Sequence, residues 1–254
     1  MRETVEKYIK DFVKGYPDTK NTETRWLEPI IAYADAKNES FYQLKEVVTP
    51  SHGLPTDFLE DAKTVITYFL PFEEEVVESN IEGKESSRTW GVAYIETNQL
   101  IFDLNTYLHE KIQEMDFEST IIPATHNFDE DLLISEWSHR HVAYIAGLGK
   151  FGLNNMLITE KGCCGRVGSI VTNLEIPPTE VTEKEFCLYK AKGVCKLCVS
   201  GCVNGALQVE GYDRHKCYEM CLYNDKLSGD LGVTDVCGKC MVAVPCSFKN
   251  PMGK

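Results

Sequence analysis

Eleven cysteines stand in the 254-residue chain, and nine of them lie between Cys187 and Cys246. Thiolates at that density bind metal, form disulfides or carry redox chemistry, and their spacing discriminates among these. Cys195, Cys198 and Cys202 form C-x2-C-x3-C within CKLCVSGC, the end of the run that bacterial [4Fe–4S] sites use. Cys187 precedes them across seven residues, where the simple run has two. A second group follows: Cys217, then Cys237 and Cys240 around Gly238-Lys239, then Cys246 after Pro245. In paired-cluster proteins the last cysteine of each run ligates the other cluster. That rule assigns Cys187, Cys195, Cys198 and Cys246 to one cluster, and Cys217, Cys237, Cys240 and Cys202 to the other. Cys163, Cys164 and Cys221 are left over. Two structural zinc sites are the competing chemistry for the same thiolates, but the C-x2-C-x3-C spacing followed by apolar Ala206, Leu207 and Val209 favours clusters. Proline, usual after the last cysteine, is replaced by Val203 and Ser247, which relaxes the backbone without removing a ligand.

The compartment follows from the same thiols. The N-terminus carries no apolar leader and no run approaches a membrane span, so a cytoplasmic location with reduced cysteines and no membrane partner is expected. The adjacent Cys163 and Cys164 read as small apolar fillers, because vicinal disulfides are strained. An apolar fraction of 43% and a charged fraction of 26% are those of a globular protein. Twenty-six basic against 39 acidic residues leave a net charge of −13. A surface that acidic repels phosphate backbones, so no nucleic-acid partner is expected.

The elements that must position these groups are read from periodicity. Val5, Tyr8, Ile9, Phe12 and Val13 mark a helix stopped by Gly15 and Pro17. Lys63 to Leu70 reads as a buried strand, 73–88 as an exposed charged loop, and Trp90 to Met115 as a helix. Thr120 to Ala124 reads as a short strand, and Asp131 to Ala146 as a helix ended by Gly147. Asn155 to Thr159 and Val167 to Leu174 read as strands around the turn Glu160-Lys161-Gly162. Ile176-Pro177-Pro178 then breaks the pattern. An α+β chain in two parts is expected: a layered α/β domain over 1–180 and a cysteine-rich domain over 181–254.

Gly147, Gly149 and Gly152 match G-x-G-x-x-G, but a helix precedes them and a strand follows. That reverses the order a dinucleotide site needs, and suggests instead that backbone approaches something large and flat. AGLGKFGLNNMLIT (Ala146 to Thr159) and GRVGSIVTNLEI (Gly165 to Ile176), followed by the two cysteine groups, resemble the epoxyqueuosine reductase family, which is related to corrinoid reductive dehalogenases. The resemblance covers about Ser135 to the C-terminus. It implies a nitroreductase-like layered α/β domain that binds cobalamin, followed by a ferredoxin-like double-cluster domain. It places Gly149, Gly152, Asn154, Gly168 and Thr172 on the cofactor side. Electrons from an external low-potential donor would pass through two [4Fe–4S] clusters to the cobalt.

Departures from the family pattern shape the expected function. The Trp and Lys of the family turn are Lys150 and Leu153 here. The family's proton-donating aspartate falls at Leu133, with Asp131 two residues away. Glu136, His141 and Tyr144, on the helix feeding the glycine turn, are the candidate replacement acids, against a reading in which that helix merely packs. The function expected is therefore a cobalamin-dependent iron–sulfur reductase of a small molecule. The alternative is an electron-transfer or corrinoid-handling protein without a substrate of its own. The oligomeric state is left open.

Overall fold

The computed structural model describes residues 1–123 and 128–253. Four strands, β1 (Ile30–Asp35), β2 (Thr64–Pro71), β3 (Ser119–Ile121) and β6 (Gly165–Thr172), make an antiparallel sheet in the order β1-β2-β6-β3. All eight residues of β2 are buried. Its side chains alternate between the faces: Ile66, Tyr68 and Leu70 enter one core, Val65 and Phe69 the other. A strand sandwiched on both faces reads as a continuous apolar run, which is why this one was legible. One face is covered by α1 (Arg2–Lys20) and α5 (Arg88–Gln113), the other by α2 (Ser40–Val47) and α6 (His139–Ile145). The expected mixture of helix and sheet is what the chain adopts. The hairpin β4 (Lys150–Phe151) and β5 (Leu157–Ile158) stands apart from this sheet. The remaining short helices are α3 (Pro55–Phe58), α4 (Glu74–Ser79), α7 (Leu188–Lys192), α8 (Leu197–Ser200) and α9 (Arg214–Leu227).

Several expectations are corrected. The first helix runs through Gly15 and Pro17 and ends at Asn21, whose φ of 53° is left-handed. The segment 73–88 is not a plain exposed loop: α4 buries Val76 and Val77, and Asn80 is fully buried. The helix expected from Asp131 starts only at His139. The Asp129 carboxylate takes the backbone N–H groups of Asp131 and Leu132, and Leu133 sits at φ 53°, so a turn replaces the first helical residues. The strand expected at Thr120 to Ala124 is Ser119–Ile121, and Ala124 lies outside the described residues. The two strands around Glu160 do not pair with each other: β5 pairs with β4, and β6 with β2 and β3.

The cysteine-rich part is keyed into the sheet part by buried polar groups. Lys239, only 4% exposed, donates from Nζ to the Asn80 carbonyl at 2.8 Å and the Glu82 carbonyl at 2.7 Å. Asn80 Nδ2 returns a bond to the Cys237 carbonyl at 2.9 Å. Replacing Lys239 with Met strands the carbonyl of the buried Asn80, at about 1–3 kcal/mol for a buried group left unpaired, while the carbonyl of the exposed Glu82 can turn to water. Lys239→Met is therefore expected to lower the free energy of unfolding in urea by that order, seen as a lower midpoint at unchanged slope, while leaving far-ultraviolet circular dichroism unchanged.

Candidate functional site

The cysteines gather into two groups. Burial pushes the Cys198 thiol up to about 11, helped by its neighbours Cys246, Cys187 and Cys195. Those four thiols line one small cavity, walled by Leu153, Ile158 and Val244. Burial likewise raises Cys240, whose charged neighbours include Cys217, Cys237 and Cys202. The structure thus brings together the two sets of four that the spacing named. Among the described residues no three His, Cys, Asp or Glu side chains converge tightly enough to hold a single metal ion. A cube takes one thiolate per iron, so its ligands stand around a volume rather than a point. Cys217 is the exception in the second set, lowered to about 6 by the Cys221 thiol, which donates to it, with Tyr212 and the Arg140 charge adding to the effect. Cys221 itself is raised by the same contact, one helical turn along α9.

The second set forms one wall of a cavity of about 470 Å³. The opposite wall comes from the sheet part: Phe69, Trp90, Tyr94 and Trp137 present aromatic surface, and Arg140 and Arg166 present charge. Arg140 is exposed to the cavity yet enclosed by protein, and burial lowers its pKa. Its Nη1 donates to the Asn155 carbonyl at 3.0 Å. Arg166 lies 4.6 Å over the Tyr94 ring. Tyr94 Oη donates to Asp235 Oδ1 at 2.5 Å, and Asp235 also lines the cavity.

None of Glu136, His141 and Tyr144 lines this cavity. Glu136 is exposed. His141 accepts from or donates to Ser138 Oγ at 2.7 Å and lies 4.8 Å from the Phe151 ring, which Tyr144 also contacts at 5.7 Å. Nor do the five residues expected beside a cofactor reach it. Gly149 is required because a Cβ would strike the Ile158 carbonyl, and Gly168 because one would strike the Tyr68 ring. Gly152 packs against Asn154, whose Nδ2 donates to the Cys240 carbonyl at 3.1 Å. Thr172 is fully buried and donates to the Glu118 carbonyl at 2.6 Å. Gly152 and Asn154 of the glycine turn line the small cavity beside Cys187, Cys195, Cys198 and Cys246. Sequence reasoning missed Tyr94, Asp235, Trp90 and Arg166, and used His139 and Arg140 only to count register.

His139 is a positioning residue. Its Nε2–H donates to the Pro123 carbonyl at 3.0 Å, which leaves Nδ1 to accept from Ser169 Oγ at 2.8 Å. Ser169 Oγ in turn accepts the Trp137 indole N–H at 3.1 Å. Each group has its partner when the imidazole is neutral, and burial lowers its pKa to about 4.

Searches by sequence return no protein-family model and no curated protein that matches the chain. Comparison of structures does. Epoxyqueuosine reductase from Streptococcus thermophilus superposes with a TM-score of 0.56 at 18% identity, over 95% of this chain and 66% of that one. The chain has the epoxyqueuosine reductase fold. An epoxyqueuosine reductase solved with a tRNA-Tyr epoxyqueuosine-modified stem loop gives 0.57 at 16% identity over the same shares. The Bacillus subtilis enzyme, solved with its catalytic aspartate loop swung out of the active site, gives 0.53 at 18% identity. The chain spans 66% of the length of each of these epoxyqueuosine reductases. The tRNA complex overturns the expectation that nucleic acid is excluded, since this fold carries an RNA stem loop. Among the described residues no helix is long and apolar enough to cross a membrane.

The neutral His139 generates a pH dependence. Its folded pKa of about 4 lies below the ordinary 6.5 of the unfolded chain, so the unfolded state binds the extra proton first as pH falls. Stability is therefore whole above about 6.5 and declines between about 6.5 and 4. Each such histidine contributes at most about 1.4 kcal/mol per pH unit. His139→Gln is expected to flatten that slope in denaturant unfolding followed across pH.

Proposed function

We propose that the chain is an iron–sulfur oxidoreductase that holds two [4Fe–4S] clusters and delivers electrons into the cavity between its two parts. The observation that carries this reading is the grouping of eight thiols, drawn from distant segments, into one set around a small cavity and one set on the wall of a larger one. Cys187, Cys195, Cys198 and Cys246 would hold the first cluster; Cys202, Cys217, Cys237 and Cys240 would hold the second.

The larger cavity suits a corrinoid by its aromatic walls, its two arginines and its border on the second thiol set. The clusters would supply one-electron transfer, and a bound corrinoid a reducible cobalt. The chain's own residues would do the rest. Phe69, Trp90 and Trp137 exclude water from the wall, and Arg140 and Arg166 attract negative charge. Tyr94 Oη and Asp235 Oδ1 hold a proton between them at the cavity surface, and Arg166 steadies that pair from above the ring. His139 has no proton to give, because its N–H is committed to Pro123. The substrate enters from the cavity mouth. The tRNA-bound neighbour makes an RNA loop as reasonable a candidate as a free small molecule.

A second reading, an electron-transfer protein without a corrinoid, is favoured by one observation: Gly149, Gly168 and Thr172 are taken up by the protein's own contacts, and Gly152 and Asn154 line the small thiol cavity rather than the large one. Anaerobic purification separates the readings. About eight iron and eight sulfide per chain are expected for two cubes, and stoichiometric zinc without sulfide would sink the cluster assignment. Added cobalamin is expected to stay with the protein through gel filtration; its complete loss leaves the second reading. In a panel of tRNA stem loops and small epoxides, Asp235→Asn should keep full iron content and slow turnover about 100-fold or more.

A further inference from the structure

Trp90 is 3% exposed, and among the described residues its indole Nε1–H has no hydrogen-bond partner. The chain has three tryptophans, and the other two are served. Trp26 Nε1 donates to Thr97 Oγ1 at 2.9 Å, and Trp137 Nε1 to Ser169 Oγ at 3.1 Å. An indole nitrogen can only donate, and a buried donor left without a partner costs about 1–3 kcal/mol. Native folds leave few such groups, and an ordered water or a bound group outside the protein chain can supply the missing acceptor.

The surroundings name the acceptor. Trp90 lines the cavity together with Cys202, Cys217, Cys237 and Cys240. Gly238, between two of those cysteines, adopts φ 74°, and a Cβ there would run into the indole and stand 2.7 Å from Nε1. The Cys237-Gly238-Lys239-Cys240 loop is therefore laid directly against the edge of the ring that carries the N–H. The ring is held in place: Ser87 Oγ caps the helix by accepting from Trp90 N at 3.0 Å, and Phe72 meets the indole edge-on at 5.3 Å. No indole faces the other set of cysteines, whose cavity is lined by Leu153, Ile158 and Val244 with Asn154.

We propose that the Trp90 indole N–H donates to a sulfur of the cluster held by Cys202, Cys217, Cys237 and Cys240, and sets that cluster at a higher potential than its partner. The inference rests on the two-cluster reading given above. A hydrogen bond to sulfur stabilises the reduced, more negative cluster more than the oxidised one, and so raises the potential. One electron then runs downhill from the apolar cluster to the cluster on the cavity wall, with no bond made or broken. Trp90 is a positioning residue for electrons rather than a participant in the reaction at the cavity.

The test is a redox titration of the full chain with both clusters reconstituted, followed by electron paramagnetic resonance. Two reduction waves are expected in the parent protein. Trp90→Phe keeps the ring and removes the N–H; it should move the higher wave to lower potential and leave the other in place. Two unmoved waves at unchanged iron content would overturn the proposal. Should Trp90→Phe lose iron, the parent protein labelled with indole-15N tryptophan supplies the second measurement. Its higher-potential reduced cluster should show a nitrogen-15 coupling and an exchangeable-proton coupling, and the absence of both refutes the proposal. A parent protein without any reducible iron–sulfur signal refutes the two-cluster reading itself, before any variant is made.

Discussion

The structure depends on one return of the chain. The Cys163 N–H donates to the Cys246 carbonyl at 2.9 Å and the Cys164 N–H to the Ser247 carbonyl at 3.2 Å, pinning the C-terminal segment to the entry of β6. Gly162 at φ 80° is needed there, since a Cβ would collide with the Ser247 carbonyl. Without this pairing Cys246 could not stand beside Cys187, Cys195 and Cys198, which precede it by about fifty residues. The same return brings Lys239 onto the carbonyls of Asn80 and Glu82 and Gly238 onto Trp90. The vicinal cysteines are thus not passive fillers of space alone. Their backbone amides carry the joint, while the Cys164 thiol donates to the Met241 carbonyl at 3.2 Å.

Some of this was legible and some was not, for physical reasons. Cysteine groups are read from local spacing, and the exchange of the last cysteine between runs follows from short connections, so both sets of four could be named from sequence. The strand Thr64–Pro71 was legible because burial on both faces writes an unbroken apolar run. Ile30–Asp35 and the short helix Glu74–Ser79 were not, because each buries only part of its residues. The hydrogen-bonded pair at the cavity was out of reach for a different reason. Tyr94 and Asp235 are 141 positions apart, and no periodicity records that α5 and the loop after α9 meet.

Net charge misled because it is a property of the whole molecule. A total of −13 describes the far field, which falls off within about 10 Å at ordinary ionic strength. The cavity sees Arg140 and Arg166 at contact distance instead. An acidic total and two arginines at the cavity coexist without conflict, and one epoxyqueuosine reductase of this fold was solved with a tRNA stem loop.

Helix α6 explains why Glu136, His141 and Tyr144 do not line the cavity. At about 100° per residue, His139 and His141 face nearly opposite directions. Late initiation of the helix at His139 turns that residue and Arg140 toward the cavity and sends His141 to Phe151. Tyr144, one turn beyond Arg140, meets Lys150 and Phe151 of β4. Had the helix begun at Asp131, the face presented by 131–138 would have been set by its periodicity. Instead the Asp129 turn sets it, and Trp137 is swung inward between Phe41 and Phe58. The carboxylate at the cavity therefore comes from the cysteine-rich part, through Asp235. The hydroxyl that donates comes from the sheet part, on α5, and the carboxylate that accepts comes from the cysteine-rich part, so the pair spans the two walls of the cavity.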